Sequence, residues 1–169
     1  MYCEPYPNLV YVLFSSNAPA LLYYSHIPAA VIALLLSLFI IFKNRKALEA
    51  KILVAIALLY AAWVIMDLFI WTQIDARVIM YLWSFWFTLA TLFFVLSFYF
   101  LYVFIKKRDV SFGIKTLFTG ALLPVILLAF TPFNLASFDV SGCNAIENTF
   151  MISYSYLLSV VIFVAAIIF

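Results

Sequence analysis

Five long stretches of this chain carry almost no charge: Leu21–Phe42, Ile52–Trp71, Val78–Ile105, Ile114–Phe130 and Phe150–Phe169. A helix needs about 20 apolar residues to cross a hydrocarbon core of about 30 Å. Backbone polar groups in lipid must be satisfied internally, which leaves helices or a closed barrel. Barrel strands are shorter and alternate polar with apolar residues. Runs such as Ile32–Ile41 and Leu157–Phe169 do not alternate, so the expected fold is an all-α integral membrane bundle with five transmembrane helices in one domain. Composition closes the other routes. Hydrophobic residues make up 69% and charged residues 9% of the 169 positions. A soluble domain has about 45–50% apolar and about 25% charged residues. Disorder needs low hydrophobicity and high charge.

The third stretch is long enough to span about 42 Å as a helix, so it tilts or projects beyond the bilayer. Pro124 predicts a kink partway along the fourth, and Thr131-Pro132 ends it. The short apolar patch Leu9–Phe14 is expected at the interface, and the N-terminus lacks the basic region of a secretory signal. Phe169 falls inside an apolar run with no charge after Glu147, so the chain reads as the N-terminal part of something longer.

Charge sets the expected orientation. Lys43, Arg45, Lys46 and Lys51 lie between spans one and two, with Glu49 against them. Lys106, Lys107, Arg108 and Lys115 lie between spans three and four, with Asp109. The other side holds Glu4, Asp75, Arg77, Asp139 and Glu147. The positive-inside bias places both basic loops in the cytoplasm, where they also anchor lipid phosphates. The N-terminus is then extracytoplasmic and the C-terminus cytoplasmic in a multi-pass protein of the cell membrane. Trp71, Tyr81, Trp83 and Trp86 cluster near the outer boundary, where an aromatic belt belongs.

Asp67 is the one acidic residue inside a predicted span, near its outer end. A carboxylate in lipid usually faces protein, water or a partner. His26, the only histidine, lies at a similar depth on the first span, so a His–Asp pair between the two helices is within reach. His26, Trp63, Asp67, Trp71 and Trp83 are the expected lining of an outer pocket. A boundary carboxylate and an interfacial histidine reaching water are the plainer readings of the first two. Ser84, Thr88 and Thr91 share a face of the third helix, and Ser155 and Ser159 a face of the fifth. Small hydroxyl residues there let helices approach and hydrogen-bond across the gap. Cys3 and Cys143 both fall on the outer side, where a disulfide between them would fix the outer cap.

No metal site, phosphate-binding glycine loop, nucleophile elbow, HExxH or paired in-membrane carboxylate is present. No catalytic residue, cofactor or nucleic-acid face is expected.

Ala57–Trp71 (ALLYAAWVIMDLFIW), Arg77–Trp86 (RVIMYLWSFW) and the aromatic run Leu92–Phe104 (LFFVLSFYFLYVF) lead into Lys106-Lys107-Arg108-Asp109. Leu123-Pro124, Phe130–Asn134, Tyr154 and Tyr156 follow. This pattern resembles the seven-transmembrane N-terminal sensor region of bacterial membrane histidine kinases. The resemblance implies an outside N-terminus and seven helices leading into a cytoplasmic transmitter, in a two-component system. This sequence departs from it by having five spans and none of the phosphoacceptor or ATP-binding parts, so any kinase activity would lie elsewhere. The expected role is a membrane-embedded sensory module, partnered by the bilayer and by a second copy or another membrane protein. The alternatives are a small transporter or permease subunit and a structural subunit of a membrane complex.

Overall fold

The computed structural model describes residues 18–168. Five helices dominate it: α1 (Ala20–Lys43), α2 (Leu48–Thr72), α3 (Ala76–Lys106), α4 (Phe112–Leu127) and α5 (Thr149–Ile168). Between α4 and α5 stands a hairpin of β1 (Leu135–Asp139) and β2 (Asn144–Glu147). Cys3, the Leu9–Phe14 patch and Phe169 lie outside the described residues. α1, α2 and α3 are long and apolar enough to cross a membrane, whereas α4 is a shorter apolar helix.

Local chemistry sets the helix ends. The Asp75 carboxylate caps α3 by accepting from the Arg77 backbone N–H at 2.8 Å. Glu49 lies in the first turn of α2, and Lys43 and Lys106 in the last turns of α1 and α3, each matching the local dipole end. Lys107 closes α3 in the left-handed conformation, φ 52°, with its N–H on Val103 O. Pro124 does not kink a helix at its middle. It lies in the last turn of α4, which closes when Leu128 N–H bonds Pro124 O, and Thr131 N–H then bonds Leu128 O in a further turn. The expected span to Phe130 is therefore shortened to Leu127.

α3 is the hub. It packs on α2, α4, α5 and both strands, while α1 packs along α2. Ala30 and Ala33 of α1 meet Ala61 and Val64 of α2, so the seam is close because its side chains are small. Phe98 of α3 meets Leu158 and Ile162 of α5, with Phe118 of α4 against them. The polar faces expected to bond between helices mostly bond within them. Ser37, Ser84, Thr91 and Ser159 each donate to the carbonyl four residues back. A Ser or Thr hydroxyl within a helix reaches its own i−4 carbonyl without any partner from a neighbouring helix. Thr88 reaches across to Val125 O at 3.5 Å, and the Tyr154 hydroxyl donates to Ala121 O at 2.6 Å between α5 and α4.

The hairpin departs from a purely helical expectation. Its antiparallel register pairs Asp139 with Asn144, Phe138 with Ala145, Ser137 with Ile146 and Leu135 with Glu147, irregular at Ala136. At its tip Asp139 accepts from Ser141 N–H at 3.0 Å and from Ser141 Oγ at 2.6 Å. A side chain at Gly142 would come within 2.9 Å of Asp139 Oδ2. Phe138 and the buried Cys143 dock the hairpin on Met66, Ile70 and Ile79. Cys143, at φ 55°, is disulfide-bonded. Asn134 ties the approach to β1: its Nδ2 donates to Ala129 O at 2.7 Å and to Ser84 O of α3 at 3.2 Å.

Candidate functional site

The bundle has two chemically distinct ends. The α1–α2 and α3–α4 connections come together, with Lys107 Nζ 3.9 Å from Glu49 Oε1. Around them cations rest on aromatic faces: Arg45 lies over Phe42 at 5.8 Å and Lys107 over Phe104 at 4.3 Å. Lys46 and Arg108 lie in these connections, and Lys43, Lys51 and Lys106 in the helical turns that flank them. In the α3–α4 turn, Asp109 accepts from the Tyr99 hydroxyl at 2.6 Å and pairs with Lys115. The Lys115 ammonium, then the Tyr99 hydroxyl, hold the Asp109 carboxyl below its ordinary value.

The opposite end carries the hairpin and two acids outside the helices with depressed values. Asp75 is lowered first by the Arg77 backbone N–H, and Asp139 by the Ser141 hydroxyl. Near this end His26 Nε2 lies 2.9 Å from Asp67 Oδ2 and bridges α1 to α2. The Nδ1 side of the ring faces Ser25 Oγ at 2.8 Å and Leu22 O at 3.0 Å, which fixes its orientation. The imidazole and carboxylate are partly covered, at 21% and 30% exposure.

An aromatic cluster stands beside this pair. Trp63 of α2 contacts Trp86 of α3 with centroids 5.8 Å apart, and Trp86 stacks on Trp83 at 6.3 Å. The Trp83 indole N–H donates to Glu147 Oε1 at 3.0 Å, joining α3 to the end of β2. Among the described residues the buried Trp63 Nε1 has no hydrogen-bond partner. An unpaired buried donor costs about 1–3 kcal/mol.

Below Glu147 the helices part. A cavity of about 580 Å³ lies between Trp63 of α2, the Trp86–Phe94 stretch of α3, and Ile152–Ser159 of α5, with Glu147 at its hairpin side. That volume suits a small organic ligand.

Of the expected pocket residues, His26 is joined to Asp67, and Trp63 and Trp83 meet at Trp86. Trp63 alone of the five lines the cavity. Trp71 is 46% exposed and stands outside the cluster. It lies eight residues beyond Trp63, which turns it about 80° around the helix. Glu147, Trp86, Phe87, Phe93 and Tyr156 line the cavity without having been singled out as its walls. The short spacing between Glu147 and the start of the fifth span was the available signal for a carboxylate at a helix mouth.

The described residues contain no group of three or more metal-ligating side chains. Of the two cysteines expected to pair, Cys143 is disulfide-bonded in the hairpin core, and Cys3 lies outside the described residues. No family model, curated protein or solved structure matches this chain.

Proposed function

We propose that the chain is a multi-pass integral membrane protein acting as the sensory part of a signal-transduction module. Its hairpin end is extracytoplasmic and its basic end cytoplasmic, as the gathering of both cationic connections at one pole supports. Large apolar side chains of α1 and α3, Phe39, Phe42, Leu101 and Phe104 among them, are exposed and suit lipid contact. α4, together with the turn that follows it, completes the return crossing. A membrane partner or a second copy, and a cytoplasmic transmitter of the histidine-kinase type, belong to this same reading.

One observation carries the sensing role. α3 walls the aromatic cavity along its middle, Trp86–Phe94, and terminates beside the Tyr99–Asp109–Lys115 turn. At 31 residues it is about 46 Å long, and the stretch from Phe94 to Lys107, about 20 Å, is a stiff link between the chamber and the turn. A ligand that favours one packing of α3 against α5 shifts the population of the turn. A filled cavity mimics that ligand. In the full chain in lipid nanodiscs, Ala90→Trp should change hydrogen exchange at residues 106–111 as well as around position 90. A change confined to the cavity walls would favour a structural subunit.

A further inference from the structure

We infer that the aromatic cavity binds a lipophilic organic cation, a small alkyl- or arylammonium compound, and that Glu147 reads its charge. This deepens the sensory reading and rests on it for taking the cavity as the ligand site. Six of the lining side chains are aromatic: Trp63, Trp86, Phe87, Phe93, Phe94 and Tyr156. Ring faces are negative, so they attract a cation, and most strongly where water is excluded.

The one formal charge among the lining residues is Glu147. It is held in place, because its Oε1 accepts the Trp83 indole N–H at 3.0 Å. A fixed carboxylate is already oriented before a ligand arrives, which lowers the ordering cost of binding. Lys, Arg and His are missing from the described lining, and of the nine basic residues all but Arg77, which pairs with Asp75, lie at the far pole. An anion would face a carboxylate and ring π clouds with nothing to neutralise it. A neutral apolar molecule or an acyl chain could fill the space but would not distinguish Glu147 from a neutral residue. Ser155, Ser159 and Trp63 also bring polar atoms to the lining; the Ser159 hydroxyl is engaged with Ser155 O and the Trp63 indole N–H is buried, so Glu147 supplies the charge of the site.

The same chemistry could be presented by a soluble amine or by the quaternary ammonium of a choline headgroup. The test uses the full chain in dodecyl maltoside, titrated with benzyltrimethylammonium and read by tryptophan fluorescence and by ligand-observed NMR. Saturable binding is expected, and Glu147→Gln should weaken it at least about tenfold, because a quaternary ammonium has no N–H and is held at this carboxylate by charge alone. The glutamine keeps an acceptor for Trp83, so the local fold is retained. Benzyl alcohol should bind both forms equally, and benzenesulfonate should not compete. Weakened titration in phosphatidylcholine nanodiscs would assign a lipid headgroup as an occupant of the same site, and undiminished titration a soluble amine. Equal affinity of the two proteins for benzyltrimethylammonium overturns the inference, as does effective competition by benzenesulfonate in the unaltered protein, a readout that needs no variant. Charge-selective binding without any change in hydrogen exchange at residues 106–111 would leave the cation site standing and remove the sensing role. An exchange response to benzyl alcohol and benzyltrimethylammonium alike would do the reverse.

Discussion

The His26–Asp67 contact allows a quantitative test of how α1 is held to the rest of the bundle. The heavy atoms are 2.9 Å apart, and the two side chains keep 21% and 30% of their exposure. A fully exposed ion pair is worth about 0.2–1 kcal/mol. A hydrogen bond to a charged group away from water is worth about 1.5–3 kcal/mol. Interhelical hydrogen bonds inside membrane proteins average about 0.6 kcal/mol and reach about 1.7. Partial cover and an orienting contact on the far side of the ring put this pair near about 1 kcal/mol, roughly a fivefold change in the folded-to-unfolded ratio. The perturbation is a double-mutant cycle of His26→Ala, Asp67→Ala and the combination. The assay is equilibrium unfolding in mixed micelles, read by tryptophan fluorescence. Asp67→Asn is the control: its amide oxygen still accepts a ring N–H, so it should lose about half as much as Asp67→Ala. A coupling energy below about 0.3 kcal/mol, within the usual additivity error, would refute the view that the pair joins the helices. So would identical losses for Asp67→Asn and Asp67→Ala.

Asn134 is 1% exposed and supplies two donors, so Asn134→Ala should cost about 1–2 kcal/mol in the same assay, the unpartnered Oδ1 offsetting part of the loss. Asn134→Asp removes both donors and buries a charge, so it should cost more than about 3 kcal/mol; equal losses would contradict the hydrogen-bond assignment. In the α3–α4 turn, Asp109 sits below its ordinary value of 3.8 because Lys115 and Tyr99 favour its charged form. The turn is therefore fully stabilised above that value and loses the contribution as pH falls through the lower folded one. Hydrogen exchange at residues 106–111, corrected for intrinsic rate, should accelerate in acid, and Asp109→Asn should abolish the step; an acid-insensitive turn would refute it.

The helices were legible because lipid-compatible runs are long and nearly uncharged. The span 21–42 became Ala20–Lys43 and 78–105 became Ala76–Lys106. α2 begins four residues before the expected Ile52, at Leu48, because hydropathy discounts a first turn holding Glu49 and Lys51. The His26–Asp67 juxtaposition was legible from depth alone, since two antiparallel helices joined by a short turn bring equal depths together. The cavity was not. Buried and lipid-facing positions are both apolar here, so periodicity reports no inner face and does not tell which side of α2, Trp63's or Trp71's, meets α3. The hairpin was missed because strands of five and four residues fall below a twenty-residue hydropathy window. The Ser141-Gly142 step was a turn signal that could have found it.

The account depends most on the two poles of the bundle facing opposite compartments. Single cysteines placed at Val140 on the hairpin tip and at Arg45 in the α1–α2 turn can be tested with a membrane-impermeant maleimide on intact cells, against the parent chain. Val140→Cys should label without permeabilisation and Arg45→Cys only after it. Labelling of both positions from the same side would contradict the proposed threading, and with it the outer placement of the aromatic cavity.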